Sequence, residues 1–412
     1  MKDFFTLDDF DFNGKFVGIR IDLNSHLENG KVQENVRFKV YSKSVRELLE
    51  KNAKVIVLAH QGRKGKEDFI CLERHSKIFE KYVGKEVKFV NDIVGEKAKK
   101  EIQNLENGDI LLLDNVRFLE DETSKKSIEE YSNSSLVKFL SNFIDYYVLD
   151  AFSVAHRMHA SIVGFALVKP MIAGRVFIEE IESTKKVMES LGLNTWIMGG
   201  AKIDDCIEVI DYVLNNKPES MEKVLTGGML ANLFLLAKGY EIGNKSKELL
   251  ERKGYLALLP KAKELLEKFD KEIVLPIDVA IEFVGKRIET EVYKIPDNGF
   301  VLDIGEKTIE HYSEIIKESR NVIFKGPLGM YEKTGFEIGT KRIFEEILKS
   351  NVYSLIGGGD TSLALERLGF KREQFSHVSI GGGALIKFLS GKELPGIKAL
   401  KLSFQKFKNL LV

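Results

Sequence analysis

Cysteine is nearly absent. Cys71 and Cys206 are the only two in 412 residues, far apart and outside any Cys-x-x-Cys, which excludes a sequence-readable zinc site and argues against a disulfide framework. That usage fits a reducing, cytoplasmic compartment. Net charge is missing as well: 62 Lys and Arg balance 62 Asp and Glu, so no global basic field marks a partner of nucleic acid or of a membrane surface. Any anion site has to be local. The most apolar stretch, Met229 to Ala237, is interrupted by Asn232 and is too short to span a bilayer. Asp3, Asp8, Asp9 and Asp11 precede any long apolar run, unlike the basic then apolar layout of a signal peptide. Glutamine is confined to Gln33, Gln61, Gln103, Gln374 and Gln405 while charged residues reach 30%, a bias shared with proteins from hot environments. Two nucleotide motifs are lacking too. Without Gly-Lys-Ser or Gly-Lys-Thr there is no P-loop, and the absence of Gly-x-Gly-x-x-Gly counts against a dinucleotide-binding dehydrogenase.

What is present is a long alternation of β-branched apolar runs with segments of helical period. Phe16 to Asp22, Lys54 to Ala59, Val87 to Val90, Ile110 to Leu113 and Tyr146 to Leu149 read as strands, and Val40 to Lys51 and Lys125 to Asn142 as helical segments between them. The series restarts at Thr195 and continues through Val224, Ile273, Val322, Tyr353 and Val378. Such alternation predicts βαβ units and parallel sheets, and a chain of this length predicts two domains. No low-complexity linker and no repeat of solenoid length is visible. Arg175 to Leu191 predicts a long joining helix, and Lys401 to Val412 a basic terminal helix whose apolar set is Leu402, Phe404, Phe407 and Leu410.

The two series end their strands differently. In the second, four runs close on glycine: Gly199-Gly200-Ala201-Lys202, Gly227-Gly228, Gly357-Gly358-Gly359-Asp360-Thr361 and Gly381-Gly382-Gly383. Glycine lets the backbone approach a ligand, and a following helix N-terminus presents free N–H groups to an anion. A single such turn is commonly no more than a tight βα connection, but four point to a nucleotide or a phosphate. Asp360 beside a phosphate-binding turn requires a cation, and Mg²⁺ bridging phosphate and one carboxylate supplies it; its bland role is an N-cap. In the first series the runs close on Arg20, Asp22 and Asn24, on His60 and Arg63, on Arg117, and on Asp150 followed by His156, Arg157 and His159. With Arg37, they offer forked donors for a planar anion. The spacing of His156 and His159 does not match a helical zinc pair.

Taken in order, the motifs resemble phosphoglycerate kinase over essentially the whole length. They are Arg20-Ile-Asp22-Leu-Asn24, Arg37, His60-Gln-Gly-Arg63, Leu112-Leu-Asp-Asn-Val-Arg117-Phe, Asp150-Ala-Phe-Ser-Val-Ala-His156-Arg157, Gly199-Gly-Ala-Lys202, Asp303-Ile-Gly305, Lys325-Gly-Pro327-Leu-Gly329, Gly357-Gly-Gly-Asp360-Thr361, and Gly381-Gly-Gly383 ahead of Gly391-Lys-Glu-Leu-Pro395-Gly. The His-Gln-Gly-Arg variant resembles the archaeal branch. The resemblance implies two doubly wound parallel-sheet domains joined by a helix near 175–191, with the active site in the cleft between them. Residues 1–172 with a returning tail at 388–412 would bind 3-phosphoglycerate, and 173–387 would bind ATP or ADP. It implies Asp22, Asn24, Arg37, His60, Arg63, Arg117 and Arg157 as substrate ligands. Gly199, Gly200, Lys202, Gly227, Gly228, Pro327, Glu332, Gly357, Gly358, Gly359, Asp360 and Thr361 would serve the nucleotide, with Asp360 on Mg²⁺. Arg37, Lys202, Gly358 and Gly382 would act on the group in flight. The activity implied is reversible phosphoryl transfer between 1,3-bisphosphoglycerate and ADP in glycolysis and gluconeogenesis, by a monomer or homodimer. A kinase for another small acyl phosphate, or a non-catalytic sugar-phosphate or nucleic-acid binder, are the alternatives. Two positions depart from the family: Cys206 stands where a second lysine is common, and Lys325 where asparagine is common, so Lys325 is a candidate to restore the lost charge.

Overall fold

Both faces of a parallel strand are covered by helices, so such strands carry continuous apolar runs. The computed structural model describes residues 3–410 and shows this pattern twice, in two compact units: residues up to Ile181 together with those from Glu393 onward, and Glu182–Lys392.

The first unit contains β1 (Phe5–Thr6), β2 (Phe16–Arg20), β3 (Leu27–Glu28), β4 (Lys31–Val32), β5 (Lys54–Leu58), β6 (Lys88–Val90), β7 (Ile110–Leu113), β8 (Tyr146–Leu149) and β9 (Met171–Ala173). β3 and β4 form a small antiparallel hairpin. The other strands make a seven-stranded sheet in the order β1-β9-β8-β2-β5-β7-β6, and every pairing in it is parallel. Val55 to Leu58 and Ile110 to Leu113 are fully or almost fully buried, as two covered faces require. The order reverses between β2 and β8, which places the topological switch point at Arg20 and Leu149.

The second unit holds β10 (Asn194–Met198), β11 (Lys223–Thr226), β12 (Ile273–Val274), β13 (Asp278–Phe283), β14 (Lys286–Glu291), β15 (Phe300–Ile304), β16 (Asn321–Lys325), β17 (Tyr353–Gly357) and β18 (His377–Val378). Six of them form a sheet ordered β12-β11-β10-β16-β17-β18, again parallel throughout. Its switch point lies between β10 and β16, where Met198 pairs with Lys325. Ile197, Leu225, Phe324 and Ile356 from its strands share one core cluster with Phe344 and Ile347 from the helix Ile338–Lys349. A separate antiparallel sheet, β14-β13-β15, was not evident in the sequence. Among the described residues no helix is long and apolar enough to cross a membrane.

The helix Arg175–Met188 stops short of the expected Leu191. The unit boundary falls inside it, after Ile181 rather than after 172. Its first half is fastened to the first unit: Arg175 donates to Asp8 at 2.7 and 2.6 Å and to Glu47 at 2.7 and 2.6 Å, and Phe177 N donates to Asp150 at 3.0 Å. The helix Gly383–Leu389 packs on Ile203–Asn216 in the second unit, so the returning tail begins at Glu393 rather than at 388.

The terminal helix is Pro395–Phe407, continued by a 3-10 turn to Leu410; Leu411 and Val412 lie outside the described residues. Its buried face is Ile397, Ala399, Leu400 and Ser403. Leu402, Phe404 and Phe407 are only half-buried and Leu410 is exposed, because the helix starts earlier than its apolar set indicated and turns a different face inward. Ser403 Oγ accepts from Met171 N at 2.8 Å, Gly396 N donates to Ala155 O at 2.9 Å, and Phe404 meets Phe5 edge-on with centroids 4.9 Å apart. Deleting residues 393–412 therefore removes Leu400, Ile397 and a β9 contact together. At about 1.5 to 3 kcal/mol per buried large side chain, the first unit is expected to lose roughly 3 kcal/mol or more. A calorimetric scan should show its transition moving to lower temperature, and an unmoved transition would contradict this packing.

Candidate functional site

In the first unit the site is built around one carboxylate at the end of β2. Asp22 is 2% exposed and accepts from Arg37 Nη1 at 3.1 Å, from Ser153 Oγ at 2.5 Å and from Asn24 N at 3.0 Å. Arg37 reaches it because Asn35 caps the helix Val36–Glu50, accepting from Arg37 N at 2.9 Å and so fixing the first turn. Burial alone would raise the Asp22 carboxyl, but Arg37, His60 and Ser153 outweigh it and hold the group well below the usual carboxylate range. Asn24 Oδ1 accepts from Gly62 N at 2.9 Å. Asp22 and Asn24 thus hold the loops of the site in place before any ligand arrives.

Around this carboxylate stand Arg20, Arg117, Arg157 and His60. Arg20 is buried; its Nε donates to Ser161 Oγ at 2.9 Å and its Nη2 lies 3.1 Å from His60 Nδ1. Facing a guanidinium, Nδ1 is an acceptor, which leaves the imidazole proton on Nε2. Burial lowers His60 well below 6.5, opposed by Asp22 and reinforced by Arg20, Arg117 and Arg157. Burial and the neighbouring Arg157 and Arg20 likewise bring Arg117 down to about 10, and Arg157 is lowered by burial and by Arg63. Arg117 also donates to Gly62 O, whereas Arg157 Nε is buried without a hydrogen-bond partner among the described residues. Cations that depress one another in this way are stabilised by an anion. His159 is brought down to about 3 by burial and by Arg117, Arg157 and Arg20, so it stands as a neutral imidazole beside Glu122. Arg63 is exposed.

In the second unit the glycines serve one another first. Gly199 N donates to Lys325 O at 2.9 Å, Gly200 N to Pro327 O at 2.7 Å and Gly228 N to Leu328 O at 2.8 Å. These N–H groups are therefore occupied; the small residues let the segment 326–329 lie against the ends of β10 and β11. Gly326 has φ +86°, and a Cβ there would stand 2.0 Å from Gly199 O. Thr361, fully buried, accepts from Gly326 N at 2.8 Å and ties the glycine triplet to the same turn. Gly358 and Gly382 precede the helices Gly359–Arg367 and Gly383–Leu389, and neither helix start has a side-chain cap. Beyond its own helical turn, no atom lies within 4 Å of where a Cβ of Gly359 would project. Gly200, Gly228, Pro327, Glu332 and Asp360 stand on the wall of a chiefly apolar cavity of about 190 Å³. Burial, Glu332 and Asp360 push Tyr331, on the same wall, up to about 12, so its hydroxyl stays protonated.

One unit thus carries an apolar cavity beside an uncapped helix start, and the other a cationic basket. The phosphoglycerate kinase profile matches residues 7–392. The chain belongs to the phosphoglycerate kinase family. It is 42% identical to the phosphoglycerate kinase of Methanothermus fervidus over 97% of this chain and 98% of that one. Against the enzyme of Pyrococcus horikoshii it is 38% identical over 99% of this chain and 100% of that one. The crystal structure of the Pyrococcus horikoshii phosphoglycerate kinase superposes with a TM-score of 0.90, at 38% identity, covering 98% of this chain and 100% of that one. The phosphoglycerate kinase structure from Coxiella burnetii superposes with a TM-score of 0.80 at 28% identity, covering 96% and 98%.

Of the residues that the resemblance to phosphoglycerate kinase implies, the structure gathers Asp22, Asn24, Arg37, His60 and Arg117 through the bonds above, and sets Arg157 close enough to act electrostatically on Arg117 and His60. It puts Gly200, Gly228, Pro327, Glu332 and Asp360 on the cavity wall. Lys202 is exposed at the N-cap of Ile203–Asn216. Gly199, Gly227, Gly357 and Thr361 belong to the supporting turn rather than to the wall. The other wall, which includes Met229, Asn232, Leu249, Val279 and Leu302, escaped the sequence reading because helix and antiparallel-sheet residues of ordinary core type compose it. Cys206 is fully buried, and burial raises its thiol despite the nearby Lys325, so the helix start does not make it a thiolate.

Two outcomes follow from this geometry. Gly326→Ala meets both a left-handed backbone and a carbonyl, and should cost on the order of 3 kcal/mol or more, while Gly359→Ala should leave the denaturant midpoint within experimental error. Equal midpoints for parent and Gly326→Ala would refute the close-packed turn. His60, neutral when folded, protonates near 6.5 once unfolded, so it contributes stability above that pH that is lost as pH falls below it, by about 1.4 kcal/mol per pH unit. The stability difference between parent and His60→Gln should therefore shrink on acidification from pH 6.5; a pH-independent difference would mean that His60 titrates normally.

Proposed function

We propose that this chain transfers a phosphoryl group reversibly between 1,3-bisphosphoglycerate and ADP, forming 3-phosphoglycerate and ATP. The observation that carries the reading is the concentration of Arg20, Arg117 and Arg157 around a neutral His60 and the ionised Asp22. A small anion with both carboxylate and phosphate groups, such as 3-phosphoglycerate, suits that charge balance. His60 Nε2, Arg63, Arg117 and Arg157 would grip its phosphate, and Arg37 would lie beside its reacting carboxylate.

On the nucleotide side, the apolar cavity accepts a base and Glu332 a ribose hydroxyl, while the uncapped helix starts at Gly358 and Gly382 offer N–H groups to the phosphates. Asp360 is exposed in the first turn of Gly359–Arg367. Among the described residues no cluster of three or more metal-ligating side chains occurs. A lone carboxylate suits Mg²⁺ held mostly by phosphate oxygens and water. Bound there, Mg²⁺ would neutralise charge on the phosphate chain. Lys202 would steady the group in flight. The acceptor carboxylate is already a nucleophile, so no general base is required, and catalysis consists of alignment and charge stabilisation. In-line transfer requires the two reacting oxygens to straddle phosphorus, so a closing movement that excludes water is part of the proposal. A cytoplasmic setting accords with two free cysteines.

A coupled assay for ATP-dependent formation of 1,3-bisphosphoglycerate from 3-phosphoglycerate tests the reading; inactivity with Mg-ATP would overturn it. Within an active enzyme, Arg37→Ala should lower kcat by roughly 10²-fold with 3-phosphoglycerate affinity nearly kept. Asp360→Ala should raise the Mg²⁺ requirement and weaken Mg-ADP binding in calorimetry, leaving 3-phosphoglycerate binding as it was.

A further inference from the structure

Lys325 ends β16 at the switch point of the second unit, in register between Met198 of β10 and Gly357 of β17. Its side chain is only 7% exposed. The ammonium donates to Lys202 O at 3.2 Å and to Cys206 Sγ at 2.9 Å. The nearest carboxylate in an ion pair with it, Asp205, is 4.0 Å away and itself 38% exposed. A buried ammonium thus rests on one carbonyl and one thiol, without a carboxylate at hydrogen-bond distance. That is poor compensation for an ion removed from water. Both partners also sit at the start of the helix Ile203–Asn216, the positive end of its peptide dipoles, which disfavours a cation further.

The thiol gives little relief, because burial keeps it protonated and its own hydrogen points to Gly199 O at 3.5 Å. The stem runs beside the glycine triplet: a Cβ on Gly358 would lie 3.9 Å from Lys325 Cγ. Lys325 therefore lies between Lys202, which the proposed function puts on the group in flight, and the Gly358 turn, which it puts on the phosphates. Positive charge gathered there, offset only by the partly exposed Asp205 carboxylate at 4.0 Å, is relieved by an incoming anion.

We infer that Lys325 is a catalytic residue of the second unit, its ammonium leaving Cys206 to contact the phosphoryl group in flight alongside Lys202. The inference rests on the kinase reading. As the oxygen–phosphorus bond to the departing oxygen breaks and that to the acceptor oxygen forms, the negative charge of the group in flight is spread over its equatorial oxygens, and the ammonium stabilises it while keeping its proton.

The test compares the intact enzyme with Lys325→Met, whose unbranched stem suits the same buried channel. Expected is a fall in kcat of roughly 10²-fold, with KM for Mg-ADP within about threefold and a comparable loss in affinity for ADP with aluminium fluoride, a mimic of the transferring group. A kcat within threefold of the parent, or equal losses for ADP alone and for the fluoride complex, would overturn it. Should Lys325→Met fail to fold, Lys325→Met/Cys206→Lys returns an ammonium to the same space. A folded double variant is expected to recover activity, and a folded but inactive one refutes the role. An inactive parent enzyme would instead sink the kinase reading itself, so the two failures are separable.

Discussion

Burial of both faces of two parallel sheets is the constraint from which the polar architecture follows. Inside strands such as Val55 to Leu58 and Ile110 to Leu113 no ionised side chain can be accommodated without large desolvation cost. Polar groups are therefore displaced to the strand ends. At a switch point the adjacent helices depart in opposite directions and leave the ends uncovered. Arg20 with Asp22 in the first unit and Met198 with Lys325 in the second lie at these two places. The chemistry of the molecule is concentrated where the sheets stop being covered.

The two units solve the resulting electrostatic problem in different ways. In the first, one carboxylate is made the hub: Asp22 takes bonds from Arg37, Ser153 and the Asn24 backbone, and its charge partly offsets Arg117 and Arg157. The remaining positive excess is left for an anion. In the second, backbone geometry replaces side-chain charge. Gly199, Gly200, Gly228 and Gly326 interlock through carbonyls, which fixes the mouth of an apolar cavity. Two cations at the start of one helix, one exposed and one buried, then stand beside uncapped glycine turns.

Glycine motifs illustrate how a correct pattern can carry the wrong reason. Their spacing points to phosphate because glycine permits close approach of a ligand. In the folded chain the approach at Gly199 and Gly326 is made by the protein's own backbone, and the N–H groups of Gly200 and Gly228 are spent on Pro327 and Leu328. None of the four helices that follow these turns has a side-chain cap, so what separates the turns is how many of their N–H groups the protein itself already uses. A strand end that must pass beside another strand end needs glycine as much as a phosphate does.

By itself the sequence determined the two series of parallel strands, the placement of Arg20, Asp22, His60, Gly199 and Gly357 at strand ends, and family membership, because period and strand-end chemistry are local properties of the chain. Both ends were legible to within two residues for β2 and β5, and the starts to within one for β10, β16 and β17. Tertiary structure alone decided the antiparallel sheet of β13 to β15, the apolar cavity wall, and the inward face of the tail helix. Each depends on which surface a neighbour covers. It also decided the state of Cys206 and Lys325: their side chains are 119 residues apart in sequence and 2.9 Å apart in space. Burial and distance set whether a thiol is charged and whether an ammonium is paired, and neither quantity is written in the order of residues.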